Sequence, residues 1–427
     1  MIVRFLEMIA VTMLAGVSYC TQCTCYIVQT VDKTIEHISF CEGIHLYKSS
    51  DNTIQNNVAN NCTRYGPDPY YTCDTAGLLL NCQCHNNIVV ENQFLYGGDG
   101  IFFFKNECCP SNNNYIANND CRYSPNNAIE STFAQGNVFA NNVLNGSNYG
   151  LWLGYSHNGN VVSGNIIADC HTAGVAIEHG RDNVITENLI IGNSNGILLW
   201  TDMTVHFPST QYQCLDIPNQ QYSSNYTVTN NRIINNQVGI NFVNTTYSNV
   251  YNNFVSIHNN NSITAQDLEW NIGNLWNLLE PVNMINIVGG PFIGGNYWSD
   301  YTGHMDNSGN GFGNIPYNNG FLSGEGDQLP LVVISSRNEN TTNRMQIESE
   351  IIEKFNCFFS CRNVLILFTN INTSKQKNST IQSYFQFFFY PLFIIVAKQE
   401  NNRVTMQYTR KMKQQKSKIV ILGVYSQ

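Results

Sequence analysis

The segment Asn137-Val138-Phe139-Ala140-Asn141-Asn142-Val143-Leu144-Asn145-Gly146-Ser147-Asn148-Tyr149-Gly150-Leu151-Trp152-Leu153-Gly154 holds one unit of a repeat. Units open at Asn114, Asn137, Asn160 and Asn183, a spacing of 23 residues, and Asn119, Asn142, Asn165 and Asn188 keep step with them. Each unit then reaches a small residue and an apolar triplet, as in Gly150-Leu151-Trp152-Leu153, Gly174-Val175-Ala176-Ile177 and Gly196-Ile197-Leu198-Leu199. Self-similarity at this length marks a solenoid. The units alternate β-branched residues with Asn and Gly and lack a 3.6-residue apolar stripe, so each reads as one coil of short strands. The expected fold is all-β, a parallel β-helix.

The triplet continues in both directions. It recurs at Gly43-Ile44-His45-Leu46, Gly77-Leu78-Leu79-Leu80 and Gly100-Ile101-Phe102-Phe103, and again at Gly239-Ile240-Asn241-Phe242. Strand alternation points its first and third residues inward. Stacking then builds one core column from Ile44, Leu78, Ile101, Ile129, Leu151, Val175, Ile197 and Ile240, and a second from Leu46 through Phe242. The coil-opening asparagines are expected to stack as ladders at the bends, where their amides satisfy one another and the turn backbone. Beyond a long insertion, Met203 to Ser223, the repeat is read as resuming at Asn225 and Asn249. Insertions of that length in compact folds are where binding loops live.

Net charge is −9 and only 12% of the 427 residues are charged. A chain without a basic stripe lacks the footprint of a nucleic-acid binder. Residues 1–20 combine Arg4, an apolar core from Met8 to Val17 and small residues, the pattern of a secretory signal peptide. Most of the 15 cysteines crowd before the repeat, as expected of disulfides in an exported chain, with Cys62 to Cys73 a candidate bridge closing a Pro-containing excursion. A metal reading of Cys82-Gln83-Cys84 or Cys108-Cys109 is the weaker one, since neither has zinc-finger spacing. These features predict a secreted protein, extracellular or at the cell surface, with residues 21–332 forming the β-helix. Residues 333–427 lack the period; the run from Tyr384 to Ala397 is broken by Pro391 and too short for a membrane span, and the tail reads as disordered or as a gene-model artefact.

From Leu275 the texture changes. Gly289-Gly290-Pro291-Phe292-Ile293-Gly294-Gly295-Asn296-Tyr297-Trp298-Ser299-Asp300-Tyr301, the Asn/Gly-rich run after it, Pro316-Tyr317 and Asp327-Gln328-Leu329-Pro330-Leu331 resemble the end segment of NosD-type right-handed parallel β-helix proteins. These are grouped with carbohydrate-binding and sugar-hydrolase β-helices of the pectin-lyase-like fold. The resemblance, covering roughly Tyr26 to Leu331, implies that architecture, and an activity only loosely, because the fold hosts many. The family's copper label finds no cluster of Met or His ligands in this sequence.

Chemistry is expected on the outward positions of the triplets. They place Phe102, Phe104, Trp152 and Trp200, with Tyr155 at the end of its strand, beside Glu130 and Glu178. Two coils at about 4.8 Å and two residues at about 3.3 Å put the two Glu backbones ~12 Å apart. Side chains can narrow that span toward the carboxyl separation of roughly 6.5–9.5 Å used by inverting glycosidases. Glu130 and Glu178 are therefore candidate acid and base, and the aromatic faces candidate sugar platforms. His179 is a further candidate base and Arg181 a candidate partner for a uronate carboxylate, against the alternative that both serve a hydrogen-bonded corner. No Asp-Pro-His motif of the alginate epimerase type is present.

Asp306, Ser308 and Asn310 follow the alternation of a calcium loop without its bidentate Glu, which predicts at most a weak calcium site; no other cofactor is required. Sequons occur at Asn61, Asn145, Asn225, Asn244 and Asn260, and Asn225 is assigned to the ladder and thereby withdrawn from glycosylation. The functional expectation is a secreted protein that binds a polysaccharide in an outward groove, with or without a hydrolase, lyase or epimerase activity. The alternative is a non-catalytic extracellular structural or glycan-binding surface protein.

Overall fold

A computed structural model describes residues 42–62, 75–104, 109–156, 159–202, 222–256, 271–305, 308–318, 322 and 324–334. It also describes the backbone strands Ile9–Ala10, Thr24–Ile27, Ile263–Gln266, Ser383–Phe389, Phe393–Glu400, Arg403–Arg410 and Leu422–Gly423. The chain divides into residues 1–334 and 335–427. In the second unit, the four described strands form an antiparallel sheet.

The first unit is a parallel β-helix of three sheets. The longest has nine strands: Ile44–Tyr47, Ala76–Asn81, Asp99–Phe103, Asn127–Thr132, Tyr149–Gly154, Ala173–Glu178, Asn195–Trp200, Val238–Val243 and Ile263–Gln266. All of its pairings are parallel, in the order of the chain. A second sheet of eight strands runs from Thr53–Gln55 to Asn249–Tyr251, and a third of six from Val143–Asn145 to Tyr297–Trp298. Between Val138 and Val184 the second sheet repeats every 23 residues, Val138 facing Val161 and Val161 facing Val184. At the N-terminal end, Thr24–Ile27 pairs antiparallel with both Ile9–Ala10 and Val58–Asn60.

The triplet register holds without a slip. Ile44, Leu78, Ile101, Ile129, Leu151, Val175, Ile197 and Ile240 are successive partners in the long sheet, and all are buried in one continuous core. The small residue before each triplet is explained by close approach of the next coil. A Cβ on Gly174 would lie 2.8 Å from both the Gly196 carbonyl oxygen and Ile190 Cγ2.

The asparagines form the ladder that the period requires. Asn57, Asn92, Asn119, Asn142, Asn165, Asn188, Asn231, Asn253 and Asn296 stack in one buried column. Each Oδ1 accepts from the backbone N–H and Nδ2 of the preceding rung, as Asn142 Oδ1 does from Asn119 at 3.0 Å in both bonds. Each Nδ2 also donates backward to a carbonyl, Asn142 to Ile116 at 2.9 Å. A primary amide suits this position because it supplies donor and acceptor to a bend that water cannot reach. The column ends at Asp327, which accepts from Asn296 N at 2.7 Å, Trp298 Nε1 at 2.9 Å and Leu329 N at 3.0 Å. This is the physical content of the end motif: the last rung needs an acceptor that no further coil provides.

Two sequence assignments shift. After the insertion the ladder positions are Tyr226 and Ser248, one residue from Asn225 and Asn249, because Thr227 pairs with Val184 and with Asn249. Asn225 is exposed at φ 58°, with its Nδ2 3.2 Å from Asp182 Oδ1, so the ground for withdrawing it from glycosylation falls. Among the described cysteines the disulfide is Cys82–Cys109. Cys73 of the candidate bridge with Cys62 lies outside the described residues, as do Cys108 and most of residues 1–20.

Candidate functional site

The outward face of the long sheet carries three columns. The two expected from the sequence are in register: Glu130 pairs with Phe102 and Trp152, Trp152 with Ala176, and Glu178 with Gly154 and Trp200. A third, three residues earlier on each strand, contains Asp99, Asn127, Tyr149, Ala173 and Asn195.

The face is not uniformly open. Phe102 is 2% exposed, packed with Ala76 and Leu79, and offers no free ring surface. Phe104, 37% exposed, meets it edge to face at 5.8 Å. The face opens at Trp152, which is half-buried and stacks with Tyr149 at 6.1 Å and 24°. Gly154 leaves space beside that indole, since a Cβ there would lie 3.6 Å from Trp152 Cζ2 and 3.0 Å from Thr132 Cγ2. Trp200 is half-buried next to Glu178.

Glu130 is 5% exposed and its Oε2 accepts from Asn127 Nδ2 at 2.7 Å. Asn127 is held in turn by Asp99, whose Oδ1 accepts from Asn127 N at 2.8 Å and from Asn126 Nδ2 at 3.0 Å. Glu178 is in a different state. Burial, then the neighbouring Asp202 carboxylate, pushes its carboxyl up to about 7. Burial and then Glu178 also raise the Tyr149 phenol. The two glutamates thus sit in unlike environments, the arrangement that separates acid and base roles.

Three polar atoms around Glu130 are buried without a hydrogen-bond partner: Asn127 Oδ1, Thr132 Oγ1 and Trp152 Nε1. Asn127 and Thr132 are 2% and 4% exposed, and all three residues are outward-column neighbours on adjacent strands. Buried polar groups are paired in the great majority of cases, so a cluster of three on one face is specific information.

His179 and Arg181 belong to the corner and leave the groove. His179 takes φ 50° directly after the strand, is 3% exposed, and stacks on Tyr155 at 4.9 Å, which stacks on Phe133 at 5.1 Å. Its Nε2 accepts from Asp202 N at 3.0 Å. Tyr155 is likewise a corner ring and no groove platform. Arg181 Nε donates to Ser224 Oγ at 3.2 Å, toward the next bend. The cause is the left-handed corner at Tyr155 and His179, which matches the hydrogen-bonded-corner alternative for His179 and Arg181.

Asn127, Tyr149 and Asp202 were not found from the sequence. The first two precede the small residue at which triplets were aligned, and Asp202 lies just past the strand. Asp202 follows Trp200 by two residues, in phase with the outward column, whereas Asn127 and Tyr149 lie three residues before Glu130 and Trp152, where strict alternation points inward; the ladder skips Ala128 and Gly150 between them, and this returns their side chains to the outer face.

Ser308 and Asn310 serve their own turn, Ser308 Oγ accepting from Asn310 N and Asn310 Oδ1 from Phe312 N, while Asp306 lies outside the described residues. Among the described residues no group of three or more His, Cys, Asp or Glu is placed to hold a metal ion, and no helix is long and apolar enough to cross a membrane.

Fold and face together define a parallel β-helix with a carboxylate- and aromatic-lined outer sheet. The chain belongs to the NosD family: the model described as periplasmic copper-binding protein (NosD) matches residues 84–303, just over half of its length. No curated protein shows significant sequence similarity. Among solved structures, a mutant of the periplasmic alginate epimerase AlgG is similar at 15% identity, over 52% of this chain and 60% of that one, with a TM-score of 0.36. Pectate lyase Pel9A is similar at 11% identity, over 52% and 70%, with a TM-score of 0.31. An alginate lyase from Paenibacillus sp. is similar at 11% identity, over 55% and 86%, with a TM-score of 0.31. The chain thus spans about 60% of the epimerase it matches. For the copper in the family's description, the described residues offer no group of three or more His, Cys, Asp or Glu.

Proposed function

We propose that this protein is an extracytoplasmic polysaccharide-binding β-helix, with the glycan lying across the outward face of the long sheet from Glu130 to Trp200. The observation that carries this is the unpaired trio of Asn127 Oδ1, Thr132 Oγ1 and Trp152 Nε1. One is an acceptor, one a donor and one either; all three lie just beneath the face, and hydroxyls of a ligand satisfy them once the side chains over them move aside. Tyr149, Trp152 and Trp200 add apolar ring faces of the kind that sugar C–H surfaces cover.

In the same site Glu178 is suited to donate a proton to a glycosidic oxygen, because a carboxyl near 7 is partly protonated at neutral pH. In a hydrolysis the C–O bond breaks as that oxygen takes the Glu178 proton, water adds to the anomeric carbon, and Glu130 receives the proton that water releases. One observation favours binding without cleavage: Glu130 is 5% exposed and engaged by Asn127, which restricts its approach to water.

The test is a panel of soluble polysaccharides presented to the full chain, scoring retention and new reducing ends in parallel. Products that disappear in Glu178→Gln establish the hydrolase, and retention without products establishes the binding module. If no polysaccharide is retained by folded protein, the proposal is wrong.

A further inference from the structure

We infer that the glycan this face accepts is neutral, and that polyuronates are excluded. The inference rests on the glycan reading above and adds the charge class of the ligand. It starts from the composition of the face. The titratable groups there are acidic: the buried Asp99 and Glu130 and the half-buried Glu178 on the outward columns, with Asp202 just beyond the Trp200 strand. From Ile44–Tyr47 to Val238–Val243, none of the outward positions is Lys or Arg. His45 and Lys48 lie on the first coil, His45 7% exposed and Lys48 over the Tyr47 ring at 5.3 Å. Arg181, the cation nearest in sequence to Glu178, is turned to Ser224 Oγ. Arg122 is paired with Asp120 at 2.7 Å on another corner.

A uronate brings one carboxylate per sugar. Held against this face, that charge meets like charges in a partly dry setting and finds no cation to replace its lost hydration. Sites that recognise carboxylates place Arg forks or Lys where the anion lands. Nothing of that kind is present among the described residues of the face. A net charge of −9 extends the repulsion to the approach of any polyanion.

The experiment compares a matched pair, polygalacturonate and the galactan made from it by carboxyl reduction, beside alginate and a neutral β-glucan and mannan. Binding to the full chain is measured by isothermal titration at low salt and at 0.5 M salt. The expected result is at least tenfold tighter binding of the neutral member, a gap that narrows at high salt as screening shortens the repulsion. Glu178→Gln, with its thermal midpoint checked against the parent, is expected to narrow the gap at low salt. Equal or tighter binding of polygalacturonate or alginate overturns the inference and leaves the glycan track standing. Failure of every polymer to bind folded protein overturns both.

Discussion

Removing one rung tests whether the Asn ladder is what holds successive coils together. In Asn165→Ala, four side-chain bonds disappear: two from Asn142 N and Nδ2 to Asn165 Oδ1 at 2.9 and 3.1 Å, and two from Asn165 Nδ2 to Phe139 O and Asn188 Oδ1, both at 2.9 Å. The backbone bond from Asn165 N to Asn188 Oδ1 survives. At roughly 1 kcal/mol net for each bond, the loss is about 4 kcal/mol, and more if the Asn142 N–H, deprived of its acceptor, stays dry. Asn225→Gly is the control, because that asparagine is exposed at positive φ, a conformation Gly adopts freely, and its loss is expected within about 0.5 kcal/mol of the parent. Equilibrium urea unfolding followed by far-ultraviolet circular dichroism measures both. A change below about 1 kcal/mol in Asn165→Ala, or one equal to the control, would show that the ladder only decorates a fold held by its apolar columns.

Three further outcomes follow from particular residues. Burial pushes the Asp327 carboxyl up to about 7 despite four hydrogen-bond donors that lower it. Its folded value therefore exceeds the unfolded value near 3.9, so its contribution to stability is fully present below about pH 4 and lost as pH rises through about 7. Asp327→Asn should flatten the dependence of unfolding free energy on pH between 4 and 8; an unchanged slope would refute this. Gly174→Ala forces a Cβ to within 2.8 Å of the Gly196 carbonyl oxygen and should destabilise by about 1–3 kcal/mol in the same unfolding assay, with a neutral result contradicting the close-approach reading. If Glu178 is the proton donor, kcat/KM on a cleaved glycan falls as pH rises through about 7, and a profile flat from pH 5 to 9 removes it from that role.

The core and the long-sheet register were legible because they follow from alternation alone. Ile44 through Ile240, and Glu130, Trp152, Glu178 and Trp200 beside them, needed only a constant phase. The column of Asn119, Asn142, Asn165 and Asn188 was legible where the period is unbroken, and it continues past the insertion at Asn231 and Asn253; the column of Asn114 to Asn183 was misplaced there, because Tyr226 and Ser248 hold its positions in place of asparagine. At the corners the sequence left two readings open for His179 and Arg181, a base with its partner or a hydrogen-bonded bend. Phe133, Tyr155 and His179 take positive φ, which alternation does not predict for aromatic residues, and their rings stack along the bend. Burial of outward positions was equally hidden: nothing in the triplets distinguishes Phe102, which is covered, from Trp152, which is not. The state of Glu178 required Asp202, a neighbour across coils rather than along the chain.

The glycan track can be located directly by amide hydrogen exchange on the full chain, with and without a saturating neutral oligosaccharide. A track on the outer face predicts slowed exchange at Asn127–Thr132, Tyr149–Gly154, Ala173–Glu178 and Asn195–Trp200. It predicts no change at Val138–Ala140, Val161–Ser163 and Val184–Thr186 of the second sheet. Protection confined to the second or third sheet, or absent while the sugar is bound, would contradict it.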